Sequence, residues 1–149
     1  SHRRAARLMF LCLLEQCGRK RIIPDRGPSH PCHNQAKPWM ARYYLLLRQR
    51  PRWFPFNVFL HELLDNDHGD GVHNHTCPFI TIVLHGGYWE TLASSCHWRP
   101  PGYIGFRSAK TLHRVDLEPG VRPITLFISG PFGLRRGSRT AYGTAFDRC

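Results

Sequence analysis

The sequence predicts an all-β domain built as an antiparallel sandwich or barrel. Short runs of β-branched and aromatic residues recur along its centre, and clusters of Gly, Pro, Asp and Asn separate them. No segment of the centre keeps the longer apolar period of a helix. At 149 residues the chain is the size of one domain, large enough to bury a core without disulfide support.

Seven strands are predicted, at residues 42–47, 56–64, 79–84, 88–92, 103–107, 113–117 and 124–129. The loop 65–71 is rich in Asp, Asn and Gly, which tolerate left-handed backbone conformations. Gly86-Gly87 predicts a tight hairpin, and Pro100-Pro101-Gly102 predicts a second turn. Short strands joined in this way favour a sheet that folds back on itself.

The N-terminal part is predicted to differ from this domain. Residues 18–38 contain four prolines and two glycines and read as an irregular linker or wrapping arm. The apolar run 8–14 follows three arginines, which is typical of a targeting peptide, but a short amphipathic helix packed on the domain fits equally well. We therefore predict a basic arm at 1–38, a β domain at 39–134 and a basic tail at 135–149.

Charge is concentrated in the two ends. The net charge is +11. Most arginines and lysines lie outside residues 56–118, where positive and negative side chains nearly balance. Basic arms of this kind indicate contact with nucleic acid or a large assembly, or else solvated tails. No apolar run reaches the ~20 residues of a membrane-spanning helix.

Six cysteines occur, none in a Cys-x-x-Cys pair, so neither a zinc ribbon nor a thioredoxin-like site is indicated. We expect reduced thiols and a cytoplasmic location, with organelle targeting by the N-terminal segment left open. The sequence also contains no arrangement typical of a Ser-His-Asp triad or a phosphate-cradling loop.

The pattern His73-Asn74-His75 lies just before the apolar run 79–84. Residues two apart on an extended strand point to the same face, so both imidazoles can converge on one metal ion. A third, His113, can come from a neighbouring strand. Three imidazoles leave coordination positions open, as catalytic metal sites do. The alternative is a pair of surface histidines beside a glycine turn.

These residues and their spacing resemble the two motifs of the cupin superfamily. The first motif, His-x-His followed by Glu and Gly, matches His73, His75 and Gly87, and the second matches Gly102 and His113. The stretch from about 39 to 134 is also similar to small cupin-like proteins of bacteria and phages. The resemblance implies a single small cupin barrel, a double-stranded β-helix or jelly roll, flanked by irregular basic arms.

The chain departs from the cupin pattern at four positions. Ile80 stands in the carboxylate slot of the first motif, and in the second motif Ser108, Lys110 and Leu117 replace Pro, Gly and Asn. A site of three imidazoles keeps the full charge of a divalent ion and should attract anionic substrates. A facial set of this kind suits Fe(II), our first choice, although Zn, Ni or Mn are possible. In cupins the carboxylate-free variant is compatible with sites like those of thiol dioxygenases.

Four further residues are candidates for the same site. His61 is a possible fourth ligand or a partner of a ligand. Arg107 ends a strand and is the predicted anchor for a substrate carboxylate. Glu90, with Tyr88 on the same face, is a possible base or late ligand, although an exposed Glu90 is an alternative.

The resemblance leaves two functions open. One is a metal-dependent enzyme, of dioxygenase or isomerase type, acting on a small anionic molecule. The other is a non-catalytic cupin that binds a ligand or serves as a scaffold, with its basic arms on nucleic acid or an assembly. A homodimer is possible, since cupins often pair through a sheet.

A rival closed zinc site would combine Cys77, Cys96 and His97 with His73 or His75.

Overall fold

The computed structural model of the chain describes residues 2–25, 33–67, 73, 75, 77–92 and 95–131. The predicted C-terminal tail lies outside these residues. The described part has one helix, α1 (His2–Gln16), a short 3-10 turn (His33–Gln35) and nine strands. In chain order the strands are β1 (Lys20–Pro24), β2 (Pro38–Tyr44), β3 (Asn57–Leu63), β4 (Phe79–His85), β5 (Tyr88–Leu92), β6 (Ser95–Arg99), β7 (Ile104–Arg107), β8 (His113–Asp116) and β9 (Ile124–Ser129).

The described strands form two antiparallel sheets. The larger has six strands in the order β1-β2-β3-β9-β4-β7, and the smaller has three in the order β6-β5-β8. The predicted β architecture is therefore confirmed, with β5 and β9 at their predicted bounds and the others within a few residues. Strands β1 and β6 were not predicted. One side chain in two along β3, β4 and β9 points between the sheets, where the cavity described below lies.

The N-terminal segment differs from the irregular arm predicted for it. Leu11 of α1 is buried in a cluster with Ala41, Tyr43 and other residues of the larger sheet. Strand β1 pairs along β2 as an edge strand and ends at Pro24, where a missing N–H costs least. The packed helix predicted for residues 8–14 is observed, and a targeting role for this segment stays a prediction. No helix among the described residues is both long and apolar enough to cross a membrane.

Helix α1 ends in a hydrogen-bonded glycine cap. Gly18 has a φ of +65° and donates its N–H to the carbonyl of Glu15, while Arg19 donates to the carbonyl of Leu14. This pair of hydrogen bonds is the Schellman motif, in which a glycine adopts the left-handed backbone conformation without a steric penalty. The cap reverses the chain directly into β1, which is why a helix and a strand follow each other so closely here.

Gly86 and Gly87 form a tight turn but not the predicted hairpin, because β4 and β5 belong to different sheets. Both glycines have positive φ, +80° and +99°. A Cβ on Gly87 would lie 2.5 Å from the Trp98 ring, so the position also requires the missing side chain. The turn passes the chain from the larger sheet to the smaller and so brings β5 opposite β4.

Four of the six cysteines fall within the described residues. Cys12, Cys17, Cys77 and Cys96 are all free thiols.

Candidate metal centre

Backbone hydrogen bonds bring two of the predicted ligands side by side. The N–H of His73 donates to the carbonyl of His113, and the N–H of His113 donates to the carbonyl of His73, both at 2.8 Å. This isolated antiparallel bridge joins the loop before β4 to the first residue of β8. His73 and His75 therefore precede β4 rather than lie on it, but their rings still share one side, with centroids 5.2 Å apart.

The three histidines form one cluster of ligand atoms. One ring nitrogen from each of His73, His75 and His113 lies within 4.8 Å of the other two. The Nε2 atoms of His75 and His113 are 2.8 Å apart. His73 and His113 are buried and His75 is half-buried. The predicted convergence of these three side chains is thus present in the structure.

Glu90 fixes the orientation of His113. Its Oε1 atom lies 3.1 Å from His113 Nδ1 and, as a carboxylate oxygen, accepts a hydrogen bond from that nitrogen. This bond assigns a ring hydrogen to Nδ1 and leaves Nε2 as the nitrogen that faces His75 Nε2. A carboxylate behind a ligating histidine is a common support in metal sites.

The same carboxylate is held by two arginines. Arg107 donates to both oxygens of Glu90, and Arg99 Nε donates to Oε2 at 2.8 Å. Burial by itself would raise the pKa of Glu90, but the hydrogen bonds from His113 and Arg107 outweigh it and lower the pKa to about 2. Glu90, only 1% exposed, is thus a buried, charged residue and not an exposed one.

His73 has a carboxylate on its outer side as well. Asp67 Oδ2 lies 3.5 Å from His73 Nδ1 and accepts a hydrogen bond from the N–H of Val115 at 2.6 Å. Burial raises the pKa of Asp67 to about 7. Its Oδ1 atom is buried without a hydrogen-bond partner among the described residues, although Asp67 lines the cavity. An unpartnered buried oxygen beside the histidines leaves room for a further polar group there.

Burial keeps His73 and His75 neutral. Desolvation, followed by the charge of neighbouring rings, lowers the pKa of His73 to about 4 and that of His75 well below its ordinary value. Neutral imidazole is the form that binds metal, because the lone pair must be free.

The donor set fits a divalent metal ion. Two ligands bound at ~2.0–2.1 Å to one ion are separated by roughly 3.0–3.4 Å, close to the 2.8 Å between His75 and His113 Nε2. Three imidazoles and no thiolate suit Fe, Zn, Ni or Mn, and three ligands leave other positions free. His73, His75 and His113 would hold the ion, with Glu90 and Asp67 behind two of them.

The carboxylate slot of the first motif needs a correction. Ile80 is 37% exposed and faces outward, whereas its neighbour Phe79 is buried against the rings of His75 and His113. The strand alternates from Phe79, so the inward position falls one residue earlier than the motif count suggested. The conclusion that this strand supplies no carboxylate to the cluster is unchanged.

Two of the remaining candidates, His61 and Tyr88, line the same cavity, which has a volume of about 220 Å³ between the sheets. His61 lines it but is not part of the ligand cluster, since its Nε2 accepts a hydrogen bond from Arg42 Nε at 3.0 Å. Tyr88 is buried, and burial raises the pKa of its phenol to about 12. Arg107 is buried but is not among the described residues that line the cavity, and Glu90 occupies its guanidinium.

The rival closed zinc site is not formed by the described residues. Cys96 and His97 are exposed on the edge strand β6, and the group of possible ligands contains neither them nor Cys77.

Three contributors to this site were missed from the sequence: Asp67, Arg99 and Arg42. Asp67 belongs to the acidic loop of the resembled proteins, which was a usable signal. No such sequence signal exists for Arg42 and Arg99, because the alternation of side chains along a strand does not tell which face of the strand is buried.

Comparison with known proteins connects this architecture to cupins. No family model matches the sequence, and no curated protein matches it. Solved structures do. A cupin-2 domain from Rhodospirillum rubrum matches with a TM-score of 0.51 and 11% identity over 74% of this chain and 69% of that one. A cupin 2 conserved barrel domain protein from Rhodopseudomonas palustris matches with a TM-score of 0.51 and 12% identity over 78% and 74%.

A third match is a provisionally assigned mannose-6-phosphate isomerase from Ralstonia eutropha, with a TM-score of 0.53 and 15% identity over 64% of this chain and 87% of that one. Identities this low carry the fold and not the activity. The chain has the cupin fold, with a possible metal site in the cavity between its two sheets.

Proposed function

We propose that this protein is a metal-binding cupin that acts on a small anionic molecule at a three-histidine centre. The observation that carries the proposal is the convergence of His73, His75 and His113, whose ligand nitrogens lie within 4.8 Å of one another at the cavity wall. Surface histidines, the alternative in the sequence, would not be buried and backed by two carboxylates.

The chain supplies the conditions that such a centre requires. A bound divalent ion would supply a Lewis-acidic centre, and Fe(II) would add chemistry with O2. The three imidazoles contribute no charge, so the site retains a positive charge that favours an anionic substrate. Apolar walls that include Trp39, Phe79 and Phe127 limit the water in the cavity and strengthen these electrostatic contacts.

Fe(II) remains our first choice of metal, with Zn, Ni or Mn as alternatives, and the reaction we propose is oxidative or isomerising. The small cavity volume, about 220 Å³, supports a substrate of a few carbon atoms rather than a polymer.

Metal analysis of the untagged full chain, purified without added metal, tests the proposal. We expect close to one divalent metal per chain in the wild type and in His97→Ala, which removes an exposed histidine from β6. The triple variant of His73, His75 and His113 to Ala should contain almost none. Retention of metal by the triple variant, or a metal-free wild type that binds none when titrated, would contradict the proposal.

A second candidate is a non-catalytic cupin whose basic ends bind a polyanion. The net charge of +11, most of it outside the balanced centre, favours it. The two candidates predict different results, since polyanion binding would not depend on the three histidines.

A further inference from the structure

Arg42 brings a positive charge to the wall of the histidine cavity. It lies on β2 opposite His61 of β3, and both line the cavity with His75. Its guanidinium carbon lies 4.7 Å from the centre of the Phe59 ring, and its Nε donates to His61 Nε2. The His61 ring in turn stacks on Phe59, with 15° between the ring planes. Arg42 is therefore held in one orientation by neutral groups.

No carboxylate neutralises Arg42 within the described part of the chain. The other two arginines of this region, Arg99 and Arg107, both bind Glu90. The partners of Arg42 are the imidazole of His61 and the phenol of Tyr44, and neither of them is a carboxylate. Burial lowers the pKa of Arg42, but a guanidinium remains charged in proteins.

A partly buried charge without a counterion is unfavourable, and an anion in the cavity would relieve the cost. The field of Arg42 reaches the metal cluster, because it is one of the charges that lower the pKa of His75. Arg107, the anchor predicted from the sequence, cannot bind an anion without giving up Glu90.

We propose that Arg42, positioned by His61, is the anion-binding residue of the cavity and holds the carboxylate of a small acid beside the three histidines. This rests on the proposed function and adds to it the substrate class, a small carboxylic acid, and the residue that selects it. His61 acts through Arg42: its Nε2 accepts from the guanidinium, so the neutral ring carries its proton on Nδ1.

Calorimetric titration with pyruvate, and with its uncharged methyl ester as the matched neutral probe, tests the assignment. Wild-type protein is compared in Zn-loaded and chelator-treated form with Arg42→Gln, Arg42→Lys and the control Arg122→Gln, which removes an exposed charge outside the cavity. We expect the wild type and the control to bind pyruvate and not the ester. Arg42→Gln should bind roughly 10- to 100-fold more weakly, and Arg42→Lys should fall between them.

The outcomes separate this inference from the proposed metal function. Unchanged pyruvate binding by Arg42→Gln, or no binding of pyruvate by either form of the wild type, overturns the role of Arg42. If the wild type binds no metal but pyruvate binding is lost in Arg42→Gln, the anion site is upheld and the proposed metal function fails. Circular dichroism and the metal content of each variant confirm that the fold and the cluster remain.

Discussion

Glu90 and His113 are joined across adjacent strands, with the Oε1 atom of Glu90 3.1 Å from Nδ1 of His113. This contact determines which nitrogen of His113 faces the other two histidines. It also couples the cluster to Arg107 and Arg99, since both bind the same carboxylate. The candidate metal centre is thus supported by a buried charge network as well as by its ligands.

Glu90→Gln should weaken metal binding roughly 10- to 100-fold, because the amide supports the ring less strongly than the carboxylate. Glu118→Gln is the matched control, since Glu118 is exposed and its carboxylate accepts a hydrogen bond from Trp89 rather than from the histidine cluster. Competition with a chelator measures both affinities. Equal affinities for the two variants would show that Glu90 does not support the site.

Glu90→Ala should destabilise the fold by about 3–5 kcal/mol, because it leaves the guanidinium of Arg107 buried without its partner. Urea unfolding of the metal-free protein measures the change. A loss below about 1 kcal/mol would mean that water replaces the carboxylate at little cost.

Single His73→Ala, His75→Ala and His113→Ala variants should each lose most of the bound metal but only about 1 kcal/mol of the free energy of unfolding. The rings border the cavity, so only part of each ring is packed, against Phe79 in the case of His75 and His113. Metal content and urea unfolding are measured on the same samples. A variant that loses much of its stability but keeps its metal would show that the substituted histidine supports the fold and does not bind the ion.

Stability of the metal-free protein should fall as the pH drops from about 7 to 5. Burial lowers the pKa of His61, His73 and His75 below 6.5, so the unfolded chain takes up protons in this range that the folded chain excludes. The stability is therefore complete above about pH 6.5 and decreases through the window down to about 4, the pKa of His73. Asp67, whose pKa is raised to about 7, acts in the opposite sense, but it is one group against three.

Urea unfolding at pH 7 and pH 5 in the presence of a chelator checks this trend. Glu90 does not contribute there, since its pKa is lowered to about 2 and its window lies at lower pH. His61→Asn should reduce the difference between the two pH values. A stability that is constant or higher at pH 5 would contradict the buried neutral histidines.

Gly87→Ala should cost more than Gly120→Ala, by about 2 kcal/mol. Both positions have positive φ, +99° and +74°, so both variants pay for the backbone conformation. Only at Gly87 does the new Cβ also meet the Trp98 ring, at 2.5 Å, whereas Gly120 faces open space. Thermal unfolding of the two variants gives the comparison, and equal losses would mean that Trp98 moves aside freely.

Polyanion binding by the basic ends is best tested by substitution, because deletion of the N-terminal segment would remove Leu11 from the core. Neutralising Arg3, Arg4, Arg135, Arg136, Arg139 and Arg148 to Gln should abolish sequence-independent binding to duplex DNA. The wild type should bind more weakly as salt rises from roughly 50 to 200 mM, through counterion release. Salt-independent binding, or none at low salt, would leave these residues without this role.

Seven of the nine described strands and the clustering of the three histidines could be predicted from the sequence itself. Alternating apolar runs such as 124–129 and the turns between them depend on local chemistry, which a sequence records directly. The motif spacing is likewise visible along the chain, in the positions of His73, His75, Gly87, Gly102 and His113. The helix cap at Gly18 is local too, although the targeting-like arginines left its helix ambiguous.

The tertiary structure alone decided which side chains meet. Ile80 and Phe79 are adjacent, and only the register of β4 against its neighbours turns Phe79 toward the histidines. Arg107 was predicted to anchor a substrate carboxylate, but it binds Glu90 because β5 and β7, in separate sheets, bring the two residues together. Arg42 stands out only once the structure shows that Arg99 and Arg107 bind Glu90, whereas no carboxylate of the described residues binds Arg42. Charge pairing across sheets depends on distance in space, which no spacing along the chain records.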